Sequence, residues 1–326
     1  MIYIENNSMD AAFSFGLEYY FMKEKILDDD VLVFWRTRPT LMIGRYQITA
    51  AEINEPYARE KNIQIVRRLS GGGTIYTDEG GWQFSFISKK GNVESSFKKF
   101  TAPVIDALKN LGIQAALSGR NDLLIDGKKF SGNAQHHDRY SILHHGSILY
   151  DTDLDELVRS ITVSDDKIVS KGIQSVRQRV TNIIDYMDKK LDPVEFKDIM
   201  LKSILTGKDS RYDLTPADIS RIEEIADEIF RNWEWNFGKS PDYQITRSRK
   251  LTGGKLEVCL NLENGRISDC RFYGDFFFSG DIKNLTDNLA GCPYRKEDIR
   301  IALTDSLKYG AFYLITLDEL ISCIIS

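Results

Sequence analysis

Two stretches of the chain carry residue types able to hold an anion. The first runs Arg67-Arg68-Leu69-Ser70-Gly71-Gly72-Gly73-Thr74-Ile75-Tyr76. Three consecutive glycines between apolar segments leave backbone N–H groups bare, and such a loop can wrap a phosphate or carboxylate. The two arginines ahead of it add fixed charge in a planar, bidentate form that suits the same groups. Taken alone, the glycines fit an ordinary turn equally well. No Gly-Lys-Ser/Thr follows, so this is not a Walker loop, and it is not a dinucleotide fingerprint. The second stretch is Ser118-Gly119-Arg120-Asn121-Asp122-Leu123, leading into Gly127-Lys128-Lys129-Phe130-Ser131-Gly132-Asn133-Ala134. Lys128 and Lys129 fall on a returning strand and face opposite sides of it. One can meet water while the other enters a cleft, where a bound phosphate or carboxylate would supply its partner. Two solvated hairpin lysines are the plainer reading, because lysine is mostly exposed.

The four histidines form two pairs, His136-His137 and His144-His145. No cysteine or carboxylate completes a metal-ligand spacing around them, so they read as satisfied strand residues. Lys171 to Asn182 is a basic loop between helical segments, which by itself is an ordinary solvated charge run.

The elements that must position these residues follow from period and caps. A helix is expected from about Ser8 to Lys25, capped by Ser8 or Asp10, with Ala12, Phe15, Tyr19 and Met22 on one face. Val31–Trp35, Leu41–Ile43, Ile63–Val66 and Gln83–Ile87 read as strands. Pro103 opens a helix that ends at Gly112. Asp126-Gly127 joins two strands in a tight hairpin, and Ile142–Tyr150 is a further strand. Asp192-Pro193-Val194-Glu195 and Thr215-Pro216 are helix starts. After about residue 240 the texture changes to a second hairpin across Asn264-Gly265, a helix and a short apolar segment, Phe312 to Leu317. Strands and helices alternate without a regular βαβ beat, which indicates an α+β fold on a mixed sheet. The expected division is 1–245 for a large domain and 246–326 for a small accessory α+β domain.

Composition bounds the rest. The chain has 326 residues, 42% hydrophobic and 28% charged, enough for a sizeable core and two domains. Lys and Arg number 43 against 48 Asp and Glu, a net charge of −5, so a global nucleic-acid-binding surface is not expected. The four cysteines, Cys259, Cys270, Cys292 and Cys323, include no CxxC pair, which excludes a zinc ribbon. There is no apolar run of the ~18 residues a membrane span needs. The opening Met1-Ile2-Tyr3-Ile4-Glu5-Asn6 lacks a basic, then apolar, signal pattern. A cytoplasmic protein without membrane association is the expectation.

Together the motifs resemble the lipoate–protein ligase family over nearly the whole chain. Those that carry the resemblance are Gly44-Arg45-Tyr46-Gln47, Arg68 with Ser70-Gly71-Gly72-Gly73, Gly119-Arg120-Asn121-Asp122-Leu123, and Lys129 with Ser131-Gly132-Asn133-Ala134. His144-His145-Gly146, the Lys171 to Asn182 segment and Trp233-Glu234-Trp235-Asn236-Phe237-Gly238 complete the set in family order. The resemblance implies a catalytic domain of the biotin/lipoate ligase fold followed by an accessory domain. It also implies activation of lipoate by ATP to lipoyl-AMP with release of pyrophosphate, then transfer to a lysine of an acceptor. That acceptor would be a lipoyl domain of a 2-oxo acid dehydrogenase complex, a glycine cleavage H protein or an H-like protein. ATP and Mg²⁺ would enter as substrate and metal, with no tightly bound prosthetic group.

By the same resemblance, Lys129 would bridge the lipoyl carbonyl and the α-phosphate. Arg68, Gly73, Thr74, Ile75, Tyr76 and Asn121 would hold the nucleotide, and Asp122 would hold Mg²⁺. Trp35, Arg45, Ser70, Gly71, Gly72 and His145 would line the lipoate site. Lys171, Gly172 and Arg177 belong to the loop that would close over the adenylate. The chain departs from the family pattern at Thr77, where histidine is usual, and at Gly81 and Ile48, where asparagine is usual. These changes bear on substrate preference and efficiency more than on reaction type. They also motivate an alternative, a non-catalytic lipoate-binding relative. A lipoyl or octanoyl amidotransferase needs a nucleophilic cysteine in the catalytic domain, and none precedes Cys259. In a biotin ligase the arginine- and glycine-rich loop differs from Ser70-Gly71-Gly72-Gly73.

Overall fold

The computed structural model describes residues 1–89, 93–138, 141–161, 176–205, 209–237, 244–308 and 310–325. The strands of the first two-thirds are β1 (Ile2–Glu5), β2 (Val31–Trp35), β3 (Thr40–Ile43), β4 (Gln64–Arg67), β5 (Ile75–Thr77) and β6 (Gly81–Lys89). They continue as β7 (Ala115–Ser118), β8 (Asp122–Ile125), β9 (Lys128–His137), β10 (Ser141–Leu149) and β11 (Ser210–Tyr212). Among the described residues, eight of them form one mixed sheet in the order β11-β1-β2-β6-β10-β9-β8-β7, and β4-β3-β5 form a small second sheet.

The period of two decides which way each side chain goes. Leu32 and Phe34 enter one core, with α2 (Val93–Asn110) and α3 (Pro193–Ile204) packed over that face. Val31, Val33 and Trp35 enter the other, under α1 (Ala11–Lys23) and the helical run that begins with α4 (Pro216–Ile225). Because both faces are covered, the central strands β2 and β10 are buried along their whole length.

Local signals explain most element ends. The Asp10 carboxylate accepts from the Ala12 N–H and caps α1. Asp192 and Glu195 form a full capping box on α3. Asp126 and Gly127 both have positive φ, 48° and 77°, as a two-residue hairpin requires. One expectation is corrected. Pro103 does not open a helix but lies inside α2, which starts at Val93. The apolar stripe Phe97, Phe100, Val104 and Leu108 runs on through the proline and packs against the sheet, so tertiary burial outweighs one lost backbone hydrogen bond.

The remaining residues build a separate core around β12 (Ile245–Leu251), β13 (Gly254–Glu263) and β14 (Arg266–Gly274), an antiparallel sheet. Asn264 and Gly265 make its tight turn with φ of 51° and 73°. Of the segment read as short and apolar only Phe312 is in a strand, β16 (Ala311–Phe312), which pairs with β15 (Phe278–Ser279); residues 313–316 are a turn and irregular backbone. A helix, Leu317–Ile325, follows it. This small unit docks on the glycine loop. Tyr46 stacks on Phe276 with ring centroids 4.7 Å apart, and the Gly72 N–H donates to the Phe276 carbonyl at 3.3 Å. A Cβ on Gly71 would lie 2.1 Å from that carbonyl oxygen, so the close approach needs glycine there.

Candidate active site

A cavity of about 230 Å³ opens between the α1 face of the large sheet, the glycine loop and the edge of the small unit. Lys129 reaches it from β9 because the β8–β9 register shifts at Leu123/Leu124, a one-residue bulge that re-aims the strand. Lys128 lies on the other side, in a separate cavity beside Arg177, as strand alternation requires. Lys129 Nζ lies 2.8 Å from Asp122 Oδ1, and both side chains are 37% exposed. An ion pair this open is worth little and breaks easily. The Lys129 carbonyl accepts from the Thr181 N–H at 2.9 Å.

Of the residues picked out from sequence, Trp35, Arg68, Gly72, Gly73, Thr74, Ile75, Asn121, Asp122, Lys129 and His145 stand together on this wall. Four others do not line it. Tyr76 turns into the small β-sheet core. Gly71 abuts Phe276. Ser70 is buried behind His145. Arg45 lies on a second, larger cavity beside Tyr46 and His136, with its guanidinium 4.2 Å from the Trp235 ring centroid. Lys171 and Gly172 lie outside the described residues. Arg177 is paired with Asp155 through two short contacts, 2.9 and 3.0 Å.

The two arginines ahead of the glycines prove to be internal braces. Arg68 donates to the carbonyls of Met42, Gly71 and Gly73 at 2.8, 2.9 and 2.7 Å. Burial, with Arg67 beside it, pushes its pKa down to about 10. Arg67 donates to the carbonyls of Gly44, Gln47 and Asn236 at 2.8, 2.7 and 3.0 Å. Arg68 therefore fixes the shape of the glycine loop and Arg67 that of the neighbouring 44–47 turn, and Gly73 is left facing open space.

Behind the apolar end runs a chain of buried hydrogen bonds. Ser70 Oγ and His145 Nε2 are 2.6 Å apart, and His145 Nδ1 lies 3.2 Å from both oxygens of Glu18. Ser85 Oγ donates to Glu18 at 2.5 Å, and Trp35 Nε1 donates to Ser85 Oγ at 2.8 Å. With an ionised Glu18, Nδ1 carries the proton and Nε2 accepts from Ser70, which fixes the ring's tautomer and angle. Phe15, Trp35, Met42 and His145 then form a firm, largely apolar end wall. His144 is held by Gln135 and Asn133 at 3.0 and 3.2 Å. Burial pushes its pKa well below the ordinary value, so it is neutral. His136 is likewise pushed down, to about 3, by burial. Among the described residues no cluster of three or more metal-ligating side chains occurs.

Sequence reasoning missed Glu18 and Gln83, and it missed the contribution of the small unit, where Asp275 and Phe277 close the cavity. Glu18 had a faint signal, a carboxylate in mid-helix among apolar neighbours. The other two depend on non-local packing.

Among the described residues one lysine lines the cavity, with a glycine loop on one side and an apolar end on the other, an arrangement suited to an anionic group that carries an apolar tail. The comparisons with known proteins give the family. Residues 10–205 match the lipoyl protein ligase A/B catalytic domain, and residues 240–324 match the bacterial lipoate protein ligase C-terminus. The chain is 40% identical to lipoate-protein ligase LplJ of Bacillus subtilis, over 92% of both chains. It is 37% identical to lipoate–protein ligase 1 of Staphylococcus aureus, over 98% of this chain and 99% of that one. In structure it is similar to P. falciparum LipL1, solved in complex with lipoate, with a TM-score of 0.81, 24% identity and 99% coverage of both chains. A bipartite lipoate protein ligase from Thermoplasma acidophilum gives a TM-score of 0.64 at 25% identity, covering 75% of this chain and 98% of that one. The chain belongs to the lipoate–protein ligase family.

Proposed function

We propose that this cavity joins lipoate to AMP and then presents the acyl group to a protein lysine. Lipoate's carboxylate attacks the α-phosphorus of ATP and pyrophosphate leaves. The acceptor amine then attacks the mixed anhydride and AMP leaves. Both steps build negative charge on oxygen, so the protein's work is positioning and electrostatic stabilisation. The observation that carries this reading is Lys129, among the described residues the sole lysine on the cavity wall, paired there with the half-exposed Asp122. Phosphate and acyl oxygens can displace that partner at little cost.

Several placements support the roles of the other residues. Gly73, Thr74 and Ile75 face the cavity beside Lys129 and suit the nucleotide, with Asn121 near its phosphates. Phe15, Trp35 and the braced His145 suit the dithiolane tail. Arg68 serves the nucleotide indirectly, by shaping the loop. Asp122 offers the single carboxylate that a magnesium ion on phosphate oxygens needs from a protein. Arg177 belongs to the segment we assign to closure over the adenylate. Arg45 is reassigned from the tail wall to the seam between the two units.

A two-unit division close to residue 245 is supported by the separate core of the small unit, whose first strand already includes Ile245. The acceptor is a lipoyl domain or an H-type protein, and the setting is the cytoplasm; no helix of the described residues is long and apolar enough to cross a membrane. The cysteines all lie in the small unit, buried or half-buried, which argues against the acyl-enzyme alternative. The test is the mass of apo acceptor domains incubated with the protein, ATP, Mg²⁺ and lipoate. One lipoyl group is gained only with ATP, and Lys129→Ala slows the gain by ~10²–10³-fold. Near-normal turnover in that variant would sink the assignment of Lys129, and no adenylate from the parent would favour a binding protein without turnover.

A further inference from the structure

Gln83 stands on the cavity wall yet is only 3% exposed. Its Nε2 donates to Thr77 Oγ1 at 2.7 Å, and its Oε1 is buried without a hydrogen-bond partner. A bare acceptor inside a protein costs stability unless something bound meets it. The chemistry of the two small substrates narrows what that is. Lipoate offers a carboxylate and two sulfurs and carries no N–H. ATP carries donors on its ribose and on the exocyclic amine of its base.

Placement favours the base. Trp35, Gln83 and Ser147 are cross-strand neighbours in one row over β2, β6 and β10. The row continues to β9, where Ser147 Oγ accepts from the Gly132 N–H at 3.2 Å. Gly132 lies against the catalytic lysine, since a Cβ there would be 3.0 Å from Lys129 Nζ. Gln83 is thus two strand spacings, about 10 Å, from the position proposed for the α-phosphate. A nucleoside covers such a span from its 5′ oxygen to the far edge of its base. Thr77, which holds the amide, is the last residue of β5. Among the described residues that strand pairs along one edge alone, with β3. An unpaired strand edge offers alternating N–H and C=O groups to a planar ligand. Gly81 brings no side chain to this corner, where a Cβ would come 3.0 Å from Thr77 Oγ1. The carboxamide that reaches Thr77 is therefore the one from Gln83.

We propose that Gln83 reads the nucleobase, its carboxamide oxygen accepting from the exocyclic amine of adenine while Thr77 holds the amide in place. This rests on the ATP-dependent reading above. The experiment measures lipoate-dependent pyrophosphate release by the full chain with three nucleotides. They are ATP, purine riboside triphosphate, in which hydrogen replaces the amine, and inosine triphosphate, in which a carbonyl oxygen replaces it. Gln83→Met removes the acceptor at nearly constant shape. Ratios of kcat/KM between nucleotides on one sample cancel any loss of folded protein.

The parent should prefer ATP to the purine analogue by about 5–10-fold, one hydrogen bond's worth, and use inosine triphosphate less well still. In Gln83→Met the three should converge while the KM for lipoate stays within about twofold. An unchanged ratio in Gln83→Met overturns the proposal. So does a parent that uses inosine triphosphate as well as ATP, or a variant in which the lipoate KM alone rises. A parent that releases no pyrophosphate from ATP and lipoate would instead sink the ligase reading itself.

Discussion

Replacing Glu18 should weaken both the large unit and its grip on the acyl tail. The Glu18 side chain is 1% exposed and accepts from Ser85 Oγ at 2.5 Å and from His145 Nδ1 at 3.2 Å. Alanine leaves two buried donors unmet, at about 1–3 kcal/mol each. The sum is about 2–6 kcal/mol, a large part of an ordinary folding free energy. At about 2–4 °C per kcal/mol for a unit of this size, the melting transition of the large unit should fall by on the order of 5–20 °C. Glu18→Gln keeps the shape and one acceptor but turns an NH₂ towards a donor, so it should cost about 1–3 kcal/mol. It is the variant to assay for function. His145 loses its fixed tautomer and angle, so the KM for lipoate should rise several-fold while the KM for ATP stays within about twofold. Calorimetry and steady-state kinetics of pyrophosphate release read the two effects. A Glu18→Ala protein that melts within about 2 °C of the parent would refute the stability argument. A Glu18→Gln protein in which both KM values rise together would refute the orienting role of the relay.

Three further perturbations probe other parts of the design. Gly71→Ala puts a methyl 2.1 Å from the Phe276 carbonyl oxygen, so the small unit should shift off the glycine loop. Small-angle scattering should report a larger radius of gyration, and an unchanged profile would contradict the close approach. Asp218 is pushed up by burial, but hydrogen bonds from Lys25, Tyr212, Thr215 and Tyr20 outweigh this and hold its pKa well below the usual carboxylate range. A depressed folded pKa stabilises above the unfolded value, about 3.9, and that gain is lost as pH falls through the folded one. Asp218→Asn should therefore be less stable than the parent at pH 7, by about 1.5–3 kcal/mol. In denaturant melts the gap should narrow below pH ~4, and a gap constant down to pH 2 would defeat the linkage. Asp122→Asn removes a half-exposed partner of Lys129, so stability should change by less than about 1 kcal/mol. Its rate at limiting Mg·ATP should fall, and a fall equalled by a drop in melting temperature would mean that Asp122 is structural.

Elements with a local signature were legible in the sequence. The hairpins at Asp126-Gly127 and Asn264-Gly265 and the capped start at Asp192 depend on a few adjacent residues, and they stand where those residues indicate. Pro103 misled because a proline is a local stop, whereas α2 is held by a stripe of apolar residues against the sheet. The site was legible as a set of types, since a glycine loop and a hairpin lysine declare themselves. Its allocation of roles was not. Arg68 and Arg45 look alike in sequence, each beside a glycine-containing motif. One braces the loop and the other lines the seam, and only the path of the chain between Gly44 and Gly73 separates them. Glu18 and Gln83 act across strands and helices far apart in sequence, through pairings that no short window contains.

On the proposed reading, the distribution of charge explains why Lys129, and not Arg67 or Arg68, would meet the substrates. A guanidinium with most of its donors committed to backbone carbonyls cannot turn to a phosphate without opening the loop it holds. Arg67 and Arg68 are in that position, buried and with most of their donors committed. Lys129 has one exposed carboxylate as partner, and an ammonium on a flexible stem can exchange that partner for an oxygen of changing geometry. A reaction that passes from carboxylate to mixed anhydride to amide moves its negative charge from atom to atom. A mobile point charge can follow that movement, and the rigid arginine braces keep the walls fixed while it does so.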